Sequence, residues 1–253
     1  MTRIAVDVGN SRISSAVVDG GKIVDIWHHE TLLPKEAADA ILSGARAHKA
    51  KVAIASVVPE ASDVIFKRLL EAGEDAIQIT TQSQTLISGT YKTLGVDRVA
   101  SVTAALKLFA KGRGAFVIDC GTATTFTAAS AEGEFQGGWI TLGIGRTLRA
   151  LNEHTDQLPD LTGKVRSVNQ LSPGHRTDDA ILSGTLLAHI GIIKQWITTA
   201  KAVLPGEHTT VITGGYANQI APFLTDIEHL APTLTLLGID LIAQAEGVRA
   251  DRD

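Results

Sequence analysis

Cysteine is all but missing from this chain of 253 residues: Cys120 stands alone. No intrachain disulfide can form, and a thiolate-built metal site is excluded. Aromatic residues make up only 4%, too few for the stacking platforms that single-stranded nucleic acid requires. Lys and Arg are scattered, and at a formal net charge of −4 there is no clustered basic footprint, so no nucleic-acid partner is expected. No window holds roughly 18 consecutive apolar residues, so no membrane-spanning helix is expected. Met1 leads straight into an apolar run without a basic and apolar leader, so no signal peptide is expected. The eight His residues show neither HxxxH nor HExxH spacing. No Gly-x-x-x-x-Gly-Lys-Ser/Thr pattern occurs, which excludes a P-loop kinase as far as motifs can. What remains, 44% apolar and 20% charged residues, describes a soluble globular chain, expected in the cytoplasm and long enough for one large domain or two ordinary ones.

What is present is an internal repeat. RIAVDVGNSRISSAVVDGGKIVDIW begins at Arg3, and AFVIDCGTATTFTAASAEGEFQGGW begins at Ala115. Each runs an apolar strand into Asp-x-Gly and a small polar residue, then through a β-branched stretch to a Gly turn and a third strand ending in Trp. Asp7 and Asp119 occupy matched positions. Two copies of one β-rich unit are implied, a layout that holds a nucleotide in a cleft.

Strands are predicted near 3–8, 12–18 and 22–27, with Asp19-Gly20-Gly21 as a hairpin turn. A helix from Pro34 to about Ala47, a strand over 51–57, a helix from Pro59 to about Glu71 and a short strand at 76–79 follow. The stretch 80–97 is polar and irregular, and a helix is predicted over 99–111. The second unit has predicted strands near 115–119, 124–129 and 134–140, a helix over about 144–152, a polar loop over about 155–176 and a long apolar helix over 177–204. A strand at 208–213 turns through TGGYA into a helix, a weak strand covers 226–230, and a helix over 232–249 closes the chain. Three strands followed by mixed helices and strands, twice over, give an α/β chain of two lobes, 1–113 and 114–253, divided in the Gly-rich 112–115.

Four segments carry possible chemistry. In Asp7-Val8-Gly9-Asn10-Ser11, a carboxylate stands beside a tight turn where Gly admits phosphate oxygens to backbone N–H groups. A carboxylate facing phosphate needs a cation between them, so Asp7 implies Mg²⁺; the bland alternative is a plain turn with Asp7 capping its own backbone. Asp119-Cys120-Gly121-Thr122-Ala123-Thr124 is the second such turn, with hydroxyls for phosphate at Thr122 and Thr124, a second cation ligand at Asp119, and Cys120 as a small core residue. Paired glycines in TGGYA at 213–217 allow a flat ligand face against the backbone or form a strand-to-helix turn. YKTLGVDR at 91–98 offers Asp97 either as a helix cap or as a general base toward a hydroxyl nucleophile. Gly143-Ile144-Gly145 lacks the third glycine of a dinucleotide fingerprint. His28-His29 are read as surface residues and His189 as core.

Taken together, DVGNS at 7–11, YKTLGVDR at 91–98, IDCGTATT at 118–125, GGWI at 137–140 and Thr177 before AILSG resemble the type III pantothenate kinases. The resemblance runs in order across nearly the whole chain. It implies an α/β, two-lobed, actin-like (ribonuclease H-like) duplicated fold with mixed central sheets, in the superfamily of acetate and sugar kinases. It also implies ATP-dependent phosphorylation of the terminal hydroxyl of pantothenate, the committed step toward coenzyme A. By the same resemblance, Asp7, Val8, Gly9, Asn10, Ser11, Arg12, Ile13 and Ser14 would hold the ATP phosphates, with Asp7 placing Mg²⁺ and Thr122 contacting ATP. Asp97 would take the hydroxyl proton. Tyr91, Gly95, Val96, Asp97 and Arg98 would line the pantothenate pocket, and Thr177 would reach it across a homodimer interface, for which the helix 177–204 is a candidate. Asp119 would hold a monovalent cation, K⁺ or NH₄⁺. The chain departs from the family at Ser11, where Thr is more usual, at Leu142-Gly143 in place of Pro-Gly, and at Arg176, where Asn is common.

Two other readings compete. A non-catalytic regulator could keep the fold, although intact Asp7, Asp97 and Asp119 and the acidic net charge speak against it. A kinase of the same superfamily acting on another small hydroxyl substrate would share the fold; the YKTLGVDR segment speaks against that.

Overall fold

The computed structural model describes residues 1–167 and 171–250. Its first half begins with a hairpin and a third strand: β1 (Arg3–Val8), β2 (Arg12–Asp19) and β3 (Lys22–Glu30). Gly20 and Gly21 both take positive φ, at 56° and 76°, the conformation a two-residue turn needs to match the twist of its strands. Then come α1 (Pro34–His48), β4 (Lys51–Ser56), α2 (Pro59–Glu71), β5 (Ala76–Ile79) and α3 (Val96–Leu108). Both α1 and α2 open on Pro, whose missing N–H costs nothing in a first turn.

The second half repeats the plan with β6 (Gly114–Cys120), β7 (Ala123–Ala129), β8 (Phe135–Leu142), α4 (Ile144–Glu153), a 3₁₀ turn (Thr162–Ser167), α5 (Thr177–Val203), β9 (His208–Thr213), α6 (Ala217–Ile220), β10 (His229–Leu230) and α7 (Leu234–Ala250). Part of the predicted 155–176 loop is thus a 3₁₀ turn, and its residues 168–170 lie outside the described residues.

Among the described residues the strands form two five-stranded sheets, ordered β3-β2-β1-β4-β5 and β10-β9-β6-β7-β8. Read from the other edge, the second order repeats the first strand for strand. Asp7 lies opposite Ser14 on an antiparallel neighbour and Ala55 on a parallel one; Asp119 lies opposite Thr125 and Thr213 in the same way. The duplicated, actin-like architecture with mixed sheets is therefore present in register as well as in order.

The chain forms two compact units. The first comprises Met1–Lys111, Glu132–Phe135 and Thr233–Asp253; the second comprises Gly112–Ala131 and Gln136–Pro232. The expected lobe of 114–253 put the closing helix with the second half, whereas its contacts put it in the first unit. The physical tie is a buried ion pair: Arg3 on β1 donates from Nη1 to Asp240 Oδ1 on α7 at 3.2 Å. In the first unit, Ile4, Val6, Val8, Ile13 and Val17 pack beneath Ala38, Ile41, Ile65 and Leu69 of α1 and α2. In the second, Phe116, Ile118 and Phe126 pack against Leu182, Leu186, Ile190, Ile193 and Ile197 of α5. By length and composition alone α5 could cross a bilayer, a test that the core helix of a soluble protein also passes; the stripe just named is buried in its own unit.

Candidate active site

The first unit carries two of the predicted acids at one end of its sheet. Asp7 sits at the C-terminal end of β1, and the turn after it closes with Gly9 N–H donating to Arg12 O at 3.0 Å. A Cβ on Gly9 would stand 3.2 Å from that same oxygen, so the turn is as tight as the glycine predicted. Asn10, Ser11 and Arg12 are exposed, whereas Val8 and Ile13 are fully buried and offer a ligand only their backbones. Thr31, just past β3, fastens the turn from behind: its hydroxyl donates to Gly9 O at 2.6 Å and its N–H to Ser11 O at 3.3 Å. The sequence reading missed Thr31, because only the β2–β3 register brings it there. On the same face, Ser14 lies between Asp7 and His28, and the His28 ring meets Ser14 Oγ at 3.2 Å. Burial lowers the pKa of His28, helped by Arg12 and His29.

Asp97 stands in the first turn of α3. The helix begins at Val96 with Gly95 as its N-cap residue, so Asp97 is not the cap of a helix starting at 99. Its carboxylate folds back over Gly95, where any Cβ would collide with Asp97 Oδ1, and accepts the Arg98 backbone N–H at 2.9 Å. Burial pushes the Asp97 pKa up, opposed by that N–H and by the Arg98 charge. A more basic carboxylate at a helix start is what proton abstraction asks for. The two acids' segments meet at Val57: its N–H donates to Val8 O at 3.1 Å, and its Cγ1 lies 3.7 Å from where a Gly95 Cβ would be. Tyr91, about half exposed, brings its hydroxyl 3.5 Å from Arg98 Nη1, and Arg98 itself is buried.

The second unit holds Asp119, Thr122 and Thr177. The turn after β6 closes through Gly121 N–H to Ala123 O at 3.0 Å. Two glycines clasp it. Gly143 N–H donates to Thr122 O at 3.0 Å, and a Cβ on Gly143 would strike Gly121 O and stand 2.5 Å from Thr122 O. Gly214, at φ +96°, packs so closely that a Cβ would meet Cys120 N and C at 2.6 Å and the Asp119 carboxylate. The first glycine of TGGYA therefore serves backbone approach to the Asp119 turn, not a flat ligand face; only Gly215 stands in open space. His189 is buried as expected, with Nδ1 2.8 Å from Thr185 O and Nε2 3.0 Å from Leu142 O. Burial and neighbouring Asp119 push the Cys120 thiol pKa up, which keeps it an inert core residue. Thr177 is exposed at the first position of α5.

Among the described residues no three His, Cys, Asp or Glu side chains converge as a metal cage. The single carboxylate of Asp7 suits a Mg²⁺ that arrives with nucleotide phosphates and keeps several waters. Asp119 has Thr125 and Thr213 as its neighbours in register.

The family model for type III pantothenate kinases matches residues 3–199. A type III pantothenate kinase of Dehalococcoides mccartyi (strain CBDB1) is 29% identical over 97% of this chain and 96% of that protein. One from Chlorobaculum parvum is 32% identical over 95% and 93%. Among solved structures, a ROK family glucokinase from Streptomyces griseus, in complex with glucose and AMPPNP, aligns with 96% of this chain and 100% of its own at a TM-score of 0.62 and 13% identity; at that identity the likeness carries the fold alone. With the match spanning both acid-bearing turns and the segment that carries Asp97, the chain belongs to the type III pantothenate kinase family.

Proposed function

We propose that this chain transfers the γ-phosphoryl group of ATP to the terminal hydroxyl of pantothenate, giving phosphopantothenate and ADP. Phosphoryl transfer asks a protein for positioning and charge neutralisation more than for covalent chemistry. The Asp7–Ser14 turn receives the phosphates through its backbone and the exposed Asn10 and Ser11, with Thr122 contacting ATP from the second turn. Asp97 accepts the hydroxyl proton as the new O–P bond forms and the bond to the ADP oxygen breaks. Arg98 and Tyr91, with Gly95 and Val96 beside them, hold the acceptor; a buried guanidinium beside a phenol suits the carboxylate of pantothenate. When bound, Mg²⁺ at Asp7 and K⁺ or NH₄⁺ at Asp119 offset the phosphates' negative charge.

The observation that carries this reading is Asp97, made more basic by burial and packed through Val57 against the Asp7 turn. The chain works as a homodimer in the cytoplasm, pairing through the outer face of α5 and β8. Leu187, Ile140 and Leu142 support that face, being 59%, 62% and 51% exposed, and Thr177 then serves the partner's acceptor pocket. ADP release measured with Mg²⁺ and K⁺ or NH₄⁺, with and without pantothenate, tests the assignment. Pantothenate-dependent turnover is expected; its absence with intact ATP binding would point to another acceptor or to a regulator.

A further inference from the structure

The segment Glu132–Phe135 comes from the second half of the sequence, as the turn between β7 and β8, yet it packs as part of the first unit. There it grips the loop between β5 and α3. Ser88 N–H donates to Gly133 O at 2.9 Å and Phe135 N–H donates to Ser88 O at 2.9 Å, a short parallel bridge. Gly133 holds φ +85°, and a Cβ there would stand 2.7 Å from Leu86 O. The Phe135 ring meets the Tyr91 ring edge to face, centroids 5.7 Å apart and planes at 67°. The loop is pinned from inside by Gln84, 5% exposed, whose Nε2 donates to Thr81 O and Ile87 O at 3.3 and 2.8 Å and whose Oε1 accepts from Leu86 and Ile87 N–H, both at 2.9 Å. Thr81 Oγ1 adds a bond to Leu94 O at 2.8 Å.

We infer that Phe135 is a positioning residue for the acceptor substrate: it fixes the Tyr91 ring, and Tyr91 in turn stands beside Arg98 in the turn that carries Asp97. This rests on the pantothenate kinase reading for its substrate, but not for its geometry. The Tyr91 ring is half exposed, and besides its hydroxyl's approach to Arg98 its one aromatic contact, among the described residues, is with Phe135. The clasp therefore acts on acceptor recognition and leaves nucleotide recognition alone.

The test compares Phe135→Leu with Phe135→Tyr in the full-length protein. Loss of the edge-to-face contact is expected to raise KM for pantothenate by about tenfold at most, since such pairs contribute a little over a kcal/mol beyond area at their upper end. KM for ATP and the melting temperature should stay near wild type, and Phe135→Tyr should restore the pantothenate KM. The chain has two tyrosines, so ¹³C-labelled Tyr gives a direct readout: ring signals of Tyr91 should move in Phe135→Leu while those of Tyr216 hold. An active Phe135→Leu enzyme with wild-type pantothenate KM, or with unmoved Tyr91 signals, overturns the inference. A wild-type protein without pantothenate turnover strikes the parent reading instead, and the Tyr91 signals still decide the clasp.

Discussion

Gly238 on α7 sits where α7 crosses α3, and adding one methyl group there tests how the helix that carries the proposed base is held. A Cβ built on Gly238 falls onto the carbonyl group of Ala100, with Ala100 Cα 2.9 Å away. Two effects oppose each other. Gly to Ala inside a helix gains about 1 kcal/mol from backbone entropy. Overpacking costs about 1–3 kcal/mol, and here the atoms struck are backbone of a fully buried residue rather than the end of a flexible side chain. The crossing has little room to part, because Ser101 Oγ and Thr235 Oγ1 bond across it at 2.8 Å. The clash should win, leaving a net loss of about 2 kcal/mol and a fall in melting temperature of about 4–8 °C. Ala100 lies three residues beyond Asp97, so kcat should fall too. Gly247, in the same helix with nothing within 4 Å of its missing Cβ, is the control: Gly247→Ala should gain about 0.5–1 kcal/mol. Thermal melts and steady-state kinetics of the two variants decide the matter. If Gly238→Ala melted at or above wild type with unchanged kcat, the close crossing and its hold on Asp97 would both be refuted.

Other outcomes follow from the same geometry. Asp97→Asn should cut kcat by about 10²–10⁴-fold while raising the melting temperature. The folded-state pKa of Asp97 is raised, so its share of stability is full below the ordinary carboxylate value and is lost as pH rises through the raised one; wild type should therefore lose stability relative to Asp97→Asn across that window, as melts at several pH values would record. Asp240→Ala strands Arg3 in a buried site and should cost about 3–5 kcal/mol in urea unfolding. Gly214→Ala forces a Cβ onto Cys120 and Asp119 and should weaken ATP binding roughly tenfold or more in titration calorimetry, since about 1.4 kcal/mol of displacement suffices, with pantothenate binding less affected.

The strands and most helices were legible because turn residues punctuate them: Gly20-Gly21, Pro34, Pro59 and Gly133 each mark a boundary that the structure keeps. The start of α3 was not. The apolar run from Val99 set the predicted start, with Asp97 as one candidate cap; Gly95 takes the cap instead, and Asp97 is well served inside a first turn by the helix dipole. The membership of α7 in the first unit was beyond local reading, since it comes from contacts distant in sequence, with α3 and through Arg3 and Asp240, 237 positions apart. Thr31 and Phe135 escaped for the same reason: neither sits in a motif, and each acquires its role only through register or packing. Gly214 and Gly143 were seen as glycines but given the wrong neighbour or none, because a sequence does not say which backbone will approach them.

The duplication gives the chain two matched Asp-x-Gly turns, but only Asp97 is proposed as a base. Each half ends its strand-and-helix series with a helix, α3 in the first and α7 in the second, and both pack within the first unit. The first turn of α3 carries Asp97, whereas that of α7 carries no acid. The first acid of α7 is Asp240, and it is spent on the ion pair with Arg3. One copy of the terminal helix thus carries the proposed base and the other supports it, through the Gly238–Ala100 contact and the Ser101–Thr235 bond. A repeated unit with an acid at both helix starts would place a second carboxylate in that unit with no acceptor loop of its own, since the 80–95 loop that carries Tyr91 leads only into α3. On the proposed reading, the paired turns serve the nucleotide, and the one acid-bearing helix start serves an acceptor with one reactive hydroxyl.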